Sequence, residues 1–372
     1  MGVNMAIKLK NIEDQTIVIT GASSGIGLCT ARMAARRGAN VVAVARNEEA
    51  LKQLCDEINS TGQGRCVYAV ADVADEGALR NAAEIAKREF GGFDTWVNNA
   101  GGSIYGRFMD VPIEDFKRMF ETNLWGVVIG SRIAIENLQD RGGALINLGS
   151  EVSDSPIPLQ AMYSASKHAV KGFTESLKME VEADGLPISL TVIKPGATFT
   201  PFTENAKNYL PYEPTLPAPV YSPDLVAEAI LYCAENPVKE FYVGEAAKLR
   251  SSMAIWVPAV GEAINEATID SMQNSGRPPE SNRPDGLYST NSNLRERGSE
   301  DRYVVETSPY VAAKMHPLVT AGLMLGGGLA AAALWRSFGR QRIHTDDRIL
   351  TERQNVDRSF SQAFNERSAG GF

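Results

Sequence analysis

Histidine is nearly missing: the chain has three in 372 residues, His168, His316 and His344. Two of them fall outside the strand–helix part of the chain, so a His-based triad or a zinc site is not expected. Cysteine is also sparse. Cys29, Cys55, Cys66 and Cys233 form no C-x-x-C pair, and three sit in apolar, periodic segments. They read as buried reduced thiols of a cytosolic protein, not as a disulfide or zinc framework. Basic surplus is absent too. A net charge of −8 and a pI near 5.2 give no footprint for nucleic acid. Met1 to Lys10 lacks an apolar core long enough for a signal peptide.

What remains is ordinary for a globular chain, 44% hydrophobic and 22% charged. The length suits one large domain plus an extension. From Thr16 onward, strand and helix patterns alternate. Short β-branched or apolar runs at Thr16–Thr20, Asn40–Ala45, Cys66–Val70, Thr95–Asn98, Ala144–Leu148, Ile188–Lys194 and Glu240–Val243 read as strands. Helical patterns lie between them. Asn47 suits an N-cap, with Glu48 and Glu49 in the favourable first turn. The expected fold is α/β: a Rossmann-like, doubly wound parallel sheet with helices on both faces. Ligands in such sheets sit at the carboxyl ends of the strands.

Two stretches carry chemistry. Between the first strand and first helix stands Thr20-Gly21-Ala22-Ser23-Ser24-Gly25-Ile26-Gly27. Its glycines permit a tight turn and close approach to a pyrophosphate, with the helix N-terminus facing the phosphates. The spacing is G-x-x-x-G-x-G, not the commoner G-x-G-x-x-G. The second stretch is Tyr163-Ser164-Ala165-Ser166-Lys167, opening a helix from Met162 to Ala183. A four-residue step puts Tyr163 and Lys167 on one face. A nearby ammonium lowers a phenol's pKa, and such a Tyr can exchange a proton with a carbonyl or alcohol oxygen. His168 lies about 100° round the same helix and reads as packing or solvent-facing.

Together these pieces resemble the short-chain dehydrogenase/reductase family. The matching residues are Thr20 to Gly27, Asp72-Val73, Asn98-Asn99-Ala100-Gly101, Asn123, Ser150, Tyr163-x-x-x-Lys167 and Pro195-Gly196, with 13 residues from Ser150 to Tyr163. The resemblance covers residues 11 to 263. It implies catalytic roles for Asn123, Ser150, Tyr163 and Lys167. Tyr163 would be the general acid/base, and Lys167 would lower its pKa and hold the nicotinamide ribose. Ser150 would hydrogen-bond the substrate oxygen, and Asn123 would hold a water of a proton relay. It also implies cofactor contacts from Gly21, Ser23, Ser24, Gly25, Ile26 and Gly27, and from Asp72 and Val73 at the adenine. Asn99, Ala100 and Gly101 would line the cleft, with Pro195, Gly196, Thr198 and Thr200 near the carboxamide or diphosphate. Asn98 and Asn99 also suit a plain turn, and Ser150 an ordinary loop hydroxyl, with Ser153 and Ser155 nearby.

The second strand ends Val44-Ala45-Arg46-Asn47 without an acid. NAD sites place Asp or Glu there, whereas an arginine suits a 2′-phosphate. Arg46 therefore points to NADP(H) over NAD(H). The expected function is hydride transfer between nicotinamide and a small-molecule carbonyl or alcohol, in a cytoplasmic domain that is a homo-oligomer by resemblance. Phe199, Phe202, Tyr209, Leu210 and Tyr212 suggest an aromatic lid and an apolar substrate, or else seal the core. Two rivals are an idle NADP(H)-binding sensor or scaffold, and an epimerase or dehydratase on the same fold. Intact Asn123, Ser150, Tyr163 and Lys167 argue against the first, and the short glycine turn against the second.

Four segments are expected: a catalytic domain at 11–267, a flexible linker at 271–316, a membrane-associating helix at 317–338 and a polar tail at 339–372. The linker is rich in Ser, Asn, Pro, Gly and Arg. Leu318–Trp335 holds 18 residues without a charge, and Gly322 and Gly326 fit close helix packing. Arg336, Arg340 and Arg342 follow it, against the positive-inside tendency for an enzyme on the cytosolic side. Such a run suits spanning a membrane, lying on one or packing away from it.

Overall fold

Continuous apolar runs build the central sheet. All five residues of β1 (Thr16–Thr20) are buried, as expected of a strand covered on both faces. The computed structural model describes residues 7–280, 285–290, 294–318 and 320. After β1 come α1 (Gly25–Arg36), β2 (Asn40–Ala45), α2 (Glu48–Thr61), β3 (Cys66–Val70), α3 (Glu76–Phe90) and β4 (Thr95–Asn98). Next are β5 (Ile104–Tyr105), α4 (Ile113–Phe120), α5 (Gly126–Leu138), β6 (Gly143–Leu148), α6 (Ala161–Ala183) and β7 (Ile188–Pro195). The chain continues through α7 (Phe202–Asn205), β8 (Lys207–Asn208), α8 (Pro223–Glu235), β9 (Glu240–Val243), α9 (Glu245–Trp256), α10 (Pro258–Gln273) and α11 (Pro309–Met315).

The main sheet has seven strands in the order β3-β2-β1-β4-β6-β7-β9, all parallel. β5 and β8 pair in a separate two-stranded ribbon that the sequence pattern does not announce. Apolar side chains of α1, α2 and α8, such as Leu28, Leu51 and Ile230, cover one face of the sheet. Those of α3 and α5, such as Leu79 and Ile133, cover the other. Strand order reverses between β1 and β4, so the loops after these strands diverge and open a crevice at the carboxyl edge. The Asn47 side chain accepts from the Ala50 amide, as an N-cap should.

One buried polar knot crosses this sheet. Asn98 at the end of β4 accepts from Trp96 Nε1 at 2.8 Å and donates to Asn147 Oδ1 at 2.8 Å and Ser131 Oγ at 3.2 Å. The bonds join β4, β6 and α5 beneath the crevice.

Two expectations need correction. Cys55 and Cys66 are paired in a disulfide, whereas Cys29 and Cys233 are free and buried. Packing of α2 on β3 brings the two Cα atoms to 4.9 Å, within bridging range, although 11 residues of chain separate them. The stretch from Ser271 is not a free linker either. It belongs to the same compact unit as the sheet, up to Met315. Backbone bonds and ion pairs hold it, together with a few buried apolar side chains such as Leu287 and Val311. Val305 N donates to Val220 O at 2.8 Å, and Ser222 N donates to Val305 O at 3.0 Å. Arg297 pairs with Asp224 and Glu306, and Arg277 with Glu300. A composition poor in large apolar residues is blind to that kind of anchorage.

His316 opens a second unit, in which Thr320 N bonds back to His316 O at 3.0 Å. Among the described residues no helix is long and apolar enough to cross a membrane. Apart from Leu318 and Thr320, the uncharged run to Trp335 lies outside the described residues, as does the tail 339–372.

Asn98→Ala orphans the Trp96 indole N–H and the Asn147 carbonyl oxygen inside the core. Each buried orphan costs about 1–3 kcal/mol, so the urea midpoint should fall at unchanged slope. A stability within about 0.5 kcal/mol of the parent contradicts this account.

Candidate active site

The crevice deepens into a cleft of about 300 Å³ that runs along the carboxyl ends of the strands. Its floor begins at the glycine turn. Gly21 has φ +69°, and a Cβ there would meet Ala100 Cα at 2.9 Å. A Cβ on Gly27 would lie 2.3 Å from Gly21 O, so α1 can approach the turn only with glycine at that position. Asn99 locks the turn from β4. Its Nδ2 donates to Thr20 O at 2.8 Å, and its amide donates to Thr20 Oγ1 at 3.0 Å. Ser24 stands at the N-cap of α1 without using its side chain to cap, and the positive end of the helix dipole borders the cleft. These features form a cradle for a diphosphate.

Of the residues expected at the site, Gly21, Ser23, Ser24, Gly25, Ile26, Arg46, Asp72, Val73, Asn99, Ala100 and Gly101 line this one cleft. So do Asn123, Ser150, Tyr163, Lys167, Pro195, Gly196, Thr198 and Thr200. Gly27 does not line it; it sits behind the turn, against Gly21 and Asn99. The acid Asp72 is ion-paired with Arg118 and accepts from the Ala74 amide at 3.0 Å.

Helix α6 brings Tyr163 and Lys167 to the end of β6. Lys167 is buried, and its Nζ donates to Leu148 O at 2.8 Å, the last residue of that strand. Burial lowers its pKa to about 8. The same ammonium lies 5.9 Å from the centre of the Tyr163 ring. Burial raises the Tyr163 pKa to about 12; a hydrogen bond with Ser150 pulls it down and the Glu151 charge adds to the rise. The expectation that Lys167 holds the phenol pKa down is therefore corrected for the free protein. Loss of hydration is the largest cause of that shift.

Ser150 heads a short 3-10 turn at Glu151–Ser153, and its Oγ accepts from Val152 N at 3.3 Å. Ser153 Oγ accepts in turn from Ser150 N at 3.2 Å. Ser153 and Ser155 are buried away as structural hydroxyls, Ser155 accepting from Asn265. Asn123 sits in a π-helical turn, Glu121–Trp125, between α4 and α5. This extra backbone slack aims its amide inward. Oδ1 accepts from Gly102 N at 2.9 Å, while Nδ2 donates to Gly102 O at 2.9 Å and Ser166 Oγ at 3.2 Å. His168 Nδ1 lies 2.9 Å from Ser164 O within its own helix.

Of the aromatic residues after Gly196, Phe202 lines the cleft and meets the Tyr163 ring at 5.6 Å. Tyr209 and Tyr212 turn their hydroxyls to Asp115 and Asp270 and seal the outer wall. Several cleft residues have no motif to announce them. Glu151, buried beside Ser150, takes a paired 2.8 Å contact from Arg250 of α9, 99 residues away. Gln160 donates to Ser103 at 2.7 Å and accepts from Gln273 at 3.2 Å. Gly286, Leu287 and Thr290 come from the stretch that composition reads as linker. The only signal was the polar run itself, which says nothing of where it docks.

The comparisons agree with this geometry. A family model for short chain dehydrogenases matches residues 15–210. The chain is 43% identical over 334 residues to YxnA, an uncharacterized oxidoreductase of Bacillus subtilis (strain 168), covering 89% of this chain and 94% of that one. Among solved structures it is similar to an alcohol dehydrogenase of Thermococcus sibiricus complexed with 5-hydroxy-NADP, at TM-score 0.54 and 27% identity, covering 61% of this chain and 95% of that one. It is also similar to L-sorbose reductase of Gluconobacter frateurii complexed with NADPH and L-sorbose, at TM-score 0.55 and 25% identity, covering 64% and 97% of the two chains. A parallel sheet with a glycine cradle at its switch point, a Tyr–Lys step at the end of β6 and these matches have one meaning: the chain is an oxidoreductase of the short-chain dehydrogenase/reductase family.

Proposed function

We propose that the protein is an NADP-dependent carbonyl reductase or alcohol dehydrogenase in which Tyr163 carries the proton. The observation that supports this most is the convergence of Ser150, Tyr163 and Lys167 on the cleft that the glycine cradle opens. NADPH, when bound, supplies a hydride to the carbonyl carbon. The protein's own groups do the rest. Ser150 and Tyr163 hydrogen-bond the carbonyl oxygen, and Tyr163 gives it the phenolic proton as the C–O bond becomes single. With the phenol pKa raised to about 12 by burial, Tyr163 holds its proton at neutral pH. Lys167, still charged below about pH 8, offsets the negative charge that develops on the phenolate. Asn123 positions Gly102 and Ser166 around this pair.

The NADP preference rests on Arg46. No acid stands at the end of β2, and the guanidinium reaches the cleft where an adenine ribose would lie. The NADP-bound neighbours support the same choice. The substrate reading is a small carbonyl or alcohol compound, held between Phe202 on one side and the Ser103–Gln160 pair on the other.

Three outcomes are expected. Tyr163→Phe should lower kcat by at least about 100-fold while NADPH binding stays within about twofold, since only the transferable proton is lost; turnover near the parent's, in an absorbance assay with a substrate the parent reduces, refutes the assignment. For carbonyl reduction, kcat/KM should be level at neutral pH and fall as pH rises through about 8, where Lys167 loses its charge. A profile that stays level to pH 10 contradicts that role. Arg46→Asp should shift kcat/KM from NADPH toward NADH by about tenfold or more, through loss of a charge-assisted contact. A parent that already prefers NADH overturns the reading of Arg46.

A further inference from the structure

Arg46 is not idle in the free protein. Its Nη2 donates to Gly286 O at 2.5 Å and Ser289 O at 2.9 Å, and its Nη1 to Leu287 O at 3.4 Å. Arg118 Nε reaches the same Leu287 carbonyl at 3.3 Å. At the N-terminus of α1, Gly25 N donates to Arg295 O at 2.9 Å. Residues 285–290 and 294–299 thus offer backbone carbonyls to two groups suited to cofactor anions. Burial lowers the Arg46 pKa, with Asp72 opposing and Arg118 assisting.

The stretch is anchored from outside the cleft as well. The Leu287 side chain is buried with Ile104, Val111, Phe116 and Met119. Tyr288 OH donates to Asp115 Oδ1 at 2.8 Å, and Gly286 N to Asn205 O at 2.6 Å. Arg295 pairs with Glu204, which also accepts from Ser299 N at 2.8 Å.

We propose that this C-terminal strap determines the discrimination between phosphorylated and unphosphorylated nicotinamide cofactors, by competing with the 2′-phosphate for Arg46. Carbonyl and phosphate oxygens are both acceptors, so the Nη donors cannot satisfy both fully. A carbonyl left beside a phosphate also repels it. Binding a 2′-phosphate exchanges neutral carbonyl contacts for charge-assisted ones and releases residues 286–289. A bare ribose hydroxyl is itself a donor, which a carbonyl oxygen can accept, so NAD(H) leaves the strap in place. The strap sets the threshold that a phosphate must exceed, and its anchors set the height. The inference rests on the proposed role of Arg46 and adds a moving partner to it.

The test uses the full chain and two probes, adenosine 2′,5′-bisphosphate and adenosine 5′-monophosphate. Their binding is followed by calorimetry, and strap release by hydrogen exchange at Gly286 and by trypsin cleavage after Arg295 or Arg297. The bisphosphate should speed exchange and cleavage, and the monophosphate should not. Tyr288→Phe, which loosens one outer anchor by a single hydroxyl, should tighten bisphosphate binding about two- to tenfold and leave the monophosphate unchanged. Arg46→Ala should weaken the bisphosphate and abolish the release. Suppose the bisphosphate binds tighter than the monophosphate through Arg46, yet exchange is unchanged or slower and Tyr288→Phe has no effect. The strap proposal then fails while the Arg46 reading stands. If parent and Arg46→Ala bind both probes alike, the Arg46 reading fails and takes the proposal with it.

Discussion

A buried ammonium ties the candidate site to the sheet. Lys167 Nζ has left water and rests on the Leu148 carbonyl at the end of β6. Taking such a charge from water is costly, and the pKa is lowered accordingly. The contact docks α6 against the sheet edge and thereby sets where Tyr163, one turn earlier, presents its hydroxyl. The same dry surroundings raise the phenol pKa. One act of burial makes the lysine a weaker holder of its proton and the tyrosine a stronger one. Both shifts follow from packing before any ligand arrives.

Around that pair, side-chain amides do the positioning. Asn98 ties the strands beneath the crevice, Asn99 fixes the glycine turn, and Asn123 holds Gly102 at the cleft wall. Each has a donor and an acceptor, so one residue can satisfy two backbone or side-chain groups that a parallel sheet leaves open at its carboxyl edge. The cradle is rigid as a consequence. A Cβ at Gly27 has no room, and one at Gly101 would lie 3.3 Å from Asn123 Oδ1. The shape of the glycine turn is thus set by the fold rather than by a ligand.

Sheet and site were largely legible in the chain because both rest on local patterns. β-branched runs marked the seven strands of the main sheet. The turn from Gly21 to Gly27 and the four-residue step from Tyr163 to Lys167 carried their geometry in their spacing. What stayed hidden depends on distant partners. Glu151 gave no hint of Arg250, nor Cys55 of Cys66, because packing alone brings them together. The π turn that aims Asn123 has no sequence mark, since a helix with one extra residue reads as a helix. The strap was misread for a related reason. It is held by carbonyls, arginines and one buried leucine, and composition registers only the shortage of apolar residues. The Tyr163 pKa was misjudged because proximity of Lys167 could be read from spacing, whereas the dryness of the site could not.

Burial sets the protonation of the Lys167–Tyr163 pair. NMR of 13C-labelled lysine side chains tests it most directly, with Lys167→Met identifying the signal. The account predicts one lysine that titrates near pH 8, well below the usual lysine value, and that is missing from the variant. A spectrum in which the Lys167 signal titrates with the surface lysines, above about pH 10, would contradict it.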